Sequence, residues 1–450
     1  MKNGVLSELE RIIGAENISD EINFLFRKDV QRGRLFIVRP GNVEEIQDIM
    51  NLANEKRINV FTRRGRIIPD YVSGRSGIIV DLCRMDEIID IDEKNMKAQI
   101  QAGVTFDKLS DACAGYGMRI LNPISAISPY VLRSYLDRDP LLGAVCTRSN
   151  NLSVFYAVCG NAEIWGSGSL QLGREGRPDF AEDQGPQISH AFRGSEDIFG
   201  IPFRATVYIY PDYVEKKALL AGFESLADAL QAMKILCRNE HCFACLAADS
   251  SYLSSLLTVR GMDYIEHDFS PWNLFISIEH EKDIVDMTFE IAKDEICSCG
   301  GKIMDEDLAM SFLEGLNHPI YRFDYDSVLG DSHVVQYYCY PRNAETFFKK
   351  VEERIGGGYK FGRVIVPIHW GSSFFCEAVI YCSPDEFSES GARAFEAYKA
   401  LLEEGALVDR LSGKLARLVF SKADESYIDM LKTLKDFFDP CGILNPDALI

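Results

Sequence analysis

From Phe36 the chain alternates short apolar runs with amphipathic ones, an order that restricts it to folds in which helices cover sheets. "RLFIVRP" reads as a strand, "GNVEEIQDIMNLANEKR" as the helix after it, and "INVFT" as the next strand. In that helix Asn42 stands as N-cap with Glu45 at the capping-box position, while Val43, Ile46, Ile49 and Ala53 form one stripe. The strand "GIIVDLCRM", the strand pair "EIIDID" and "KAQIQAGV", and the helix "FDKLSDACAGYG", closed by glycine, follow. These make an α+β layer whose strand-to-loop transitions suit a ligand.

Residues 120–200 are rich in Gly, Ser, Asn and Arg and show little periodicity, so they read as long loops of the kind that are usually functional. "IPFRATVYIYP" closes the domain as a strand, with Pro211 as a stop. Beyond it, "LADALQAMKILCR" leads to a strand near 242, and "NAETFFKKVEERIG" leads to "GRVIVPIHW" and "EAVIYCSPD". That pattern predicts a second domain on an antiparallel sheet. In the tail, Tyr427, Leu431, Leu434 and Phe438 have helical spacing and Asp439-Pro440 stops the helix. The expected division is a lead-in over 1–24, a first domain over 25–213, a second over 214–385, and a return to the first over 386–450.

A net charge of −20 with scattered basic residues sets the chain against a phosphate backbone, so nucleic acid is excluded as a partner. No apolar run approaches the ~20 residues of a membrane helix, and "MKNGVLSELERIIG" lacks a signal peptide's apolar core. With 13 scattered cysteines that read as reduced core thiols, the expectation is a cytoplasmic protein without membrane insertion. Cys237, Cys242 and Cys245 have the C-x4-C-x2-C spacing of plant-type iron–sulfur ligands. Cys237 would end a helix, however, while Cys242 and Cys245 would point to opposite faces of the next strand, so no metal site is expected.

Four strings together resemble the vanillyl-alcohol oxidase and p-cresol methylhydroxylase (PCMH-type) flavoproteins, and more distantly the D-lactate and glycolate oxidase flavoprotein subunits. They are "FIVRPGNVEEIQDIMNLANEKRINVFTRRG", "IIVDLCRMDEIIDIDEKNMKAQIQAGVTFDKLSDACAGYGM", "GPQISHAFRGSEDIFGIPFRATVYIYP" and "LKDFFDPCGILNPDALI". The resemblance implies a PCMH-type FAD-binding fold of two α+β subdomains under an antiparallel-sheet cap. FAD would lie extended between them, and a phenol or hydroxy acid would be oxidised by hydride transfer to the flavin. By the same resemblance Arg63, Arg64, Gly65, Arg66, Gly143, Arg148, Gly200 and Ile201 are the cofactor-binding candidates, and Arg410, Asp409 and His369 the catalytic ones.

The sequence departs from the family where the flavin and substrate would be held. In "RRGRIIPDYVSG" Pro69, Asp70 and Tyr71 stand in a diphosphate loop that needs free backbone N–H groups and positive φ. Arg63, Arg64 and Arg66 either replace those donors with side-chain charge or are solvated arginines of a surface turn. Ala144 replaces an asparagine, and Asp409 replaces the tyrosine of the family's Tyr-Arg pair, though Arg410 is retained. His369 is a lone histidine at a strand end, a position that is more often structural. Two readings follow. One is an active FAD-dependent oxidoreductase. The other, favoured by three losses at one site, is a subunit with a degenerate flavin site that works beside an FAD-containing paralogous subunit or an electron-transfer protein, as an oligomer.

Overall fold

The computed structural model describes residues 2–19, 35–63, 70–124, 126, 128–142, 151–172, 185–261, 268–316, 321, 328–356 and 358–450. Arg64, Gly65, Arg66, Pro69, Gly143, Ala144 and Arg148 lie outside the described residues.

The first domain holds two sheets. In the four-stranded one, Leu35–Val38, Gly77–Val80 and Asn59–Thr62 run parallel in that spatial order, and Ile18–Ser19 adds an antiparallel edge. Parallel neighbours need a crossover, and the helix Val43–Lys56 supplies it. Its start is fixed locally, since Asn42 Oδ1 accepts from the Glu45 amide at 2.8 Å. The Glu45 carboxylate reaches the Gly41 amide at 2.7 Å, one residue upstream of the usual capping-box partner. Arg57, left-handed at φ 55°, ends it.

The second sheet is antiparallel, in the order Ile88–Asp92, Lys97–Gln101, Gly200–Tyr208, Leu152–Cys159, Ile164–Gly166. Its strand Leu152–Cys159 corrects the loop expectation for 120–200. It is buried on both faces apart from Tyr156, so it carries none of the in-out alternation by which a half-exposed strand is recognised. The short helix Val131–Leu136 in the same region is fully buried as well.

The second domain is an eight-stranded sheet in which every recorded pair is antiparallel, with Glu215–Phe223, Trp272–His280, Ala244–Asp249, Lys360–Ile368, Ser373–Cys382 and Asp331–Cys339 as its long strands. Helices Leu226–Arg238, Lys282–Ser298, Ala344–Ile355 and Phe387–Glu403 bury Leu236, Phe289, Phe348 and Leu401 against one face. On the other face Phe275 and Phe375 pack with Leu256 and Phe312, and with Ile124 and Leu142 of the first domain. The elements of this core run past residue 385 to the short strand Leu407–Val408.

The tail then joins the first domain. Leu431 and Phe438 of the helix Glu425–Phe438 enter its core, the Phe438 ring lying 5.2 Å from that of Phe192. A Cβ on Gly160 would stand 2.3 Å from Asp439 Cβ, so the tail docks where glycine leaves room. Among the described residues no helix is long and apolar enough to cross a membrane.

Candidate functional site

In open sheets with parallel strands, ligands bind outside the carboxyl ends of the strands. Here those ends are Thr62 and Val80, and a cleft opens beside them between the two sheets of the first domain, lined by Thr62, Arg63, Tyr130, Arg133, Asp197 and Ile201 among others. It is polar at its base and largely filled. Arg133, 8% exposed, lays its guanidinium between Asp137, whose Oδ2 accepts from Nε at 2.9 Å, and Asp197, which accepts from Nη1. Thr62 Oγ1 donates to Asp197 Oδ2 at 2.8 Å and accepts from Asn445 Nδ2 at 3.0 Å. Arg63 pairs with the buried Asp81 at the mouth. The cavity left is about 30 Å³, room for a water or two.

The polar chain continues toward the cap. Asp139, buried beside Arg133's helix, accepts from Ser134 Oγ at 2.6 Å and from Arg410. Asp409, 3% exposed, accepts from Tyr338 Oη at 3.0 Å and from Arg138 Nη2 at 3.5 Å. Burial pushes the Asp139 carboxyl up to about 6, more than the nearby Arg410 charge pulls it down. Burial also lowers the Arg410 guanidinium's basicity, but Asp139, Asp409 and Asp137 together raise it above its ordinary value. Nε and Nη1 of Arg410 are buried without hydrogen-bond partners, and the residue lines a second cavity, of about 810 Å³, between the tail helices and residues 190–199. Phe199, Val419, Leu431 and Leu434 give it apolar walls, and Arg138 and Arg410 stand among its polar groups.

Residues 35–131 match the family profile described as FAD binding domain. Over 99% of this chain and 96% of theirs, the backbone superposes on p-cresol methylhydroxylase with substrate bound (TM-score 0.81, 18% identity) and on 4-ethylphenol oxidase from Gulosibacter chungangensis (TM-score 0.81, 17% identity). The chain has the fold of the PCMH-type flavoproteins, with an FAD binding domain matched in its first part. D-lactate dehydrogenase from Archaeoglobus fulgidus is 26% identical over 209 residues, and that match spans only 45% of each chain. The glycolate oxidase subunit GlcD of Escherichia coli is 22% identical over 92% of this chain and 83% of its own length. FAD is therefore the cofactor this PCMH-type fold implies.

The described residues of this PCMH-type domain are a poor match to an FAD diphosphate. The cations lining the cleft, Arg63 and Arg133, are each already held by buried carboxylates, and the free volume is far below the ~300 Å³ or more of a small-molecule pocket.

The sequence candidates divide accordingly. Arg63 and Ile201 line the cleft. Gly200 does not line it. A Cβ there would stand 3.1 Å from the Val158 carbonyl, so this glycine admits the neighbouring strand. Asp409 lies within reach of Arg138, and Arg410 pairs with Asp139. Asp409 is buried in internal pairs. His369 is elsewhere, exposed and left-handed at φ 49° in the hairpin joining Lys360–Ile368 to Ser373–Cys382, a turn residue with no place in either cavity.

Arg133, Asp137, Asp139 and Asp197 were missed. Their signal, an arginine and three aspartates inside a stretch without polar periodicity, is visible only once Val131–Leu136 is known to be buried.

The cysteine expectation also needs correction. Cys237, Cys242 and Cys245 do not diverge, because their sulfurs all lie within 4.8 Å of one another. Cys242 precedes the strand Ala244–Asp249, so strand alternation does not govern it. Glu240, left-handed at φ 57°, turns the chain back beneath the helix end.

Proposed function

We propose that this chain is a subunit of an FAD-linked oxidoreductase system in which its own flavin site has become degenerate, and that it acts structurally beside an active flavoprotein paralogue in the cytoplasm. The observation that carries this reading is the Arg133 bridge. A guanidinium held by the buried Asp197 and the partly buried Asp137 stands in the cleft where the fold would seat the cofactor, and a diphosphate entering there would add negative charge to a wall whose cations are already neutralised. The sequence departures at Pro69, Tyr71 and Ala144 point the same way. The chain's match along 83% of a protein named as a glycolate oxidase subunit is consistent with work in a complex.

A second reading rests on Arg410. Arg410 has two buried, unpartnered nitrogens and lines the 810 Å³ cavity, where its guanidinium could take a carboxylate or phenolate oxygen, as an FAD-dependent oxidase of hydroxy acids or phenols would need.

The visible spectrum separates the two. The chain is purified with FAD added throughout, desalted, and its flavin absorbance compared with protein concentration. The first reading expects a colourless protein. A yellow one with near-stoichiometric flavin would overturn it and leave the second.

A further inference from the structure

Three thiols meet on the cap, on the sheet face opposite the one that meets the first domain. Cys237 ends the helix Leu226–Arg238, Cys242 lies in the turn after it, and Cys245 begins the strand Ala244–Asp249. All three are buried, and each pair of sulfurs is within 4.8 Å. Three sulfurs on a tetrahedral zinc, with bonds of about 2.3 Å, are roughly 3.8 Å apart, so a small side-chain adjustment closes them on one ion. Buried cysteines that serve only as small hydrophobes have no reason to converge. The other close thiols, Cys339 and Cys376 at 3.6 Å, form a pair and not a triangle.

The surroundings suit an ion of that kind. Cys242 is 8% exposed beside the turn at Glu240 and His241, which gives an entry route, while Cys237 and Cys245 close the inner side. His241, next to Cys242 in the chain, has Nδ1 2.9 Å from Glu295 Oε2. Glu295 belongs to the neighbouring helix Lys282–Ser298, so this contact pins the turn between Cys237 and Cys242. The hairpin of His369, Trp370 and Gly371 lies over the site, all three residues left-handed, with Trp370 Nε1 held by Glu240 and a Cβ on Gly371 only 3.6 Å from Cys237 Cβ. Sulfurs held within 4.8 Å of one another are spaced for one ion, whereas the ligands of a cluster bind different irons and stand further apart.

We propose that Cys237, Cys242 and Cys245 form a structural site for a single thiophilic divalent cation of the zinc class, with the fourth position taken by a water or another exogenous ligand. Binding releases three thiol protons to solvent and leaves a complex with one net negative charge if the fourth ligand is neutral. The site would tie the end of a helix, a tight turn and a central strand of the cap together. It is independent of whether the first domain holds flavin.

The test uses the full chain in reducing, oxygen-free buffer. Cobalt(II) titrated into the metal-free protein should give a thiolate-to-cobalt charge-transfer band and the intense visible bands of tetrahedral cobalt. These should saturate at one equivalent and disappear when zinc(II) is added. Cys237→Ser, Cys242→Ser and Cys245→Ser should each lose the charge-transfer intensity, while Cys339→Ser keeps it. If the single variants do not fold, the wild type decides alone: absence of the band, with neither cobalt nor zinc retained through gel filtration, overturns the proposal. A band that survives in folded Cys245→Ser overturns it too.

Discussion

Removing the Arg133 guanidinium would leave Asp137 and Asp197 beside one another in a nearly dry cleft. Uncompensated buried charge is what makes one-sided loss of an ion pair costly, so Arg133→Ala should destabilise the first domain by roughly 3–5 kcal/mol in urea unfolding. A loss below about 1 kcal/mol, the scale of an exposed pair, would mean that water already fills the cleft. Asp139 gives a pH signature. Its folded-state value of about 6 stands above the ordinary 3.8, so between those values the folded chain holds a proton that the unfolded chain releases. This group's contribution is therefore fully present below about pH 4 and is lost as pH rises through 6, on the order of 2–3 kcal/mol in all. The stability difference between wild type and Asp139→Asn, followed by thermal unfolding from pH 4 to 8, should move against the wild type as pH rises. A difference independent of pH would show Asp139 to be ionised throughout. Asp409 and Arg410 were singled out because their string aligned with a known pair. Their partners were not, because charged side chains buried by tertiary pairing leave no local pattern.

Elements were legible where local chemistry sets them. The Asn42 cap, the stripe of Ile46, Ile49 and Ala53, and the glycine stop after the helix Phe106–Ala114 are decided within a few residues, and the structure has each. Leu152–Cys159 and the turn that gathers the cysteines are decided by burial between other elements and by one left-handed residue, which no periodicity reports. The tail lies between these cases. Its helix is readable from spacing, but its anchor is long-range: Asn445, fully buried, accepts from the Thr62 amide at 3.0 Å and donates to the Glu196 carbonyl at 2.7 Å and to Thr62 Oγ1. Asn445→Ala strands a buried amide and a carbonyl at the carboxyl end of a parallel strand. At about 1–3 kcal/mol for each unsatisfied group, it should lower stability by roughly 2–4 kcal/mol. Limited proteolysis should then release the segment after residue 412 sooner than in wild type, and an unchanged digestion rate would show that Phe438 and Leu431 hold the tail without it.

At the scale of the whole molecule the fold and the cleft make opposite demands, since the backbone is that of a flavin-binding domain while the groups lining the cleft neutralise each other. Thermodynamic linkage decides between them without reference to any activity. A ligand that binds only the folded state stabilises it by RT ln(1 + [L]/Kd), about 2.7 kcal/mol at a hundredfold excess over Kd. For a domain of this size each kcal/mol moves the unfolding midpoint by roughly 2–4 °C. A family-type site with micromolar affinity would thus raise the midpoint by about 5–10 °C at about 100 µM FAD. If Arg133 holds the cleft closed, FAD has to break its pairs with Asp137 and Asp197 before binding, and the cost of freeing those carboxylates, several kcal/mol, exceeds that gain. The expected result is no resolved shift with FAD, and none with ADP, which carries the same diphosphate. A rise of several degrees with FAD alone would place the affinity in the isoalloxazine half and favour the oxidase reading. A rise with both would show that the diphosphate finds donors despite the paired arginines, and would overturn the degenerate-site proposal.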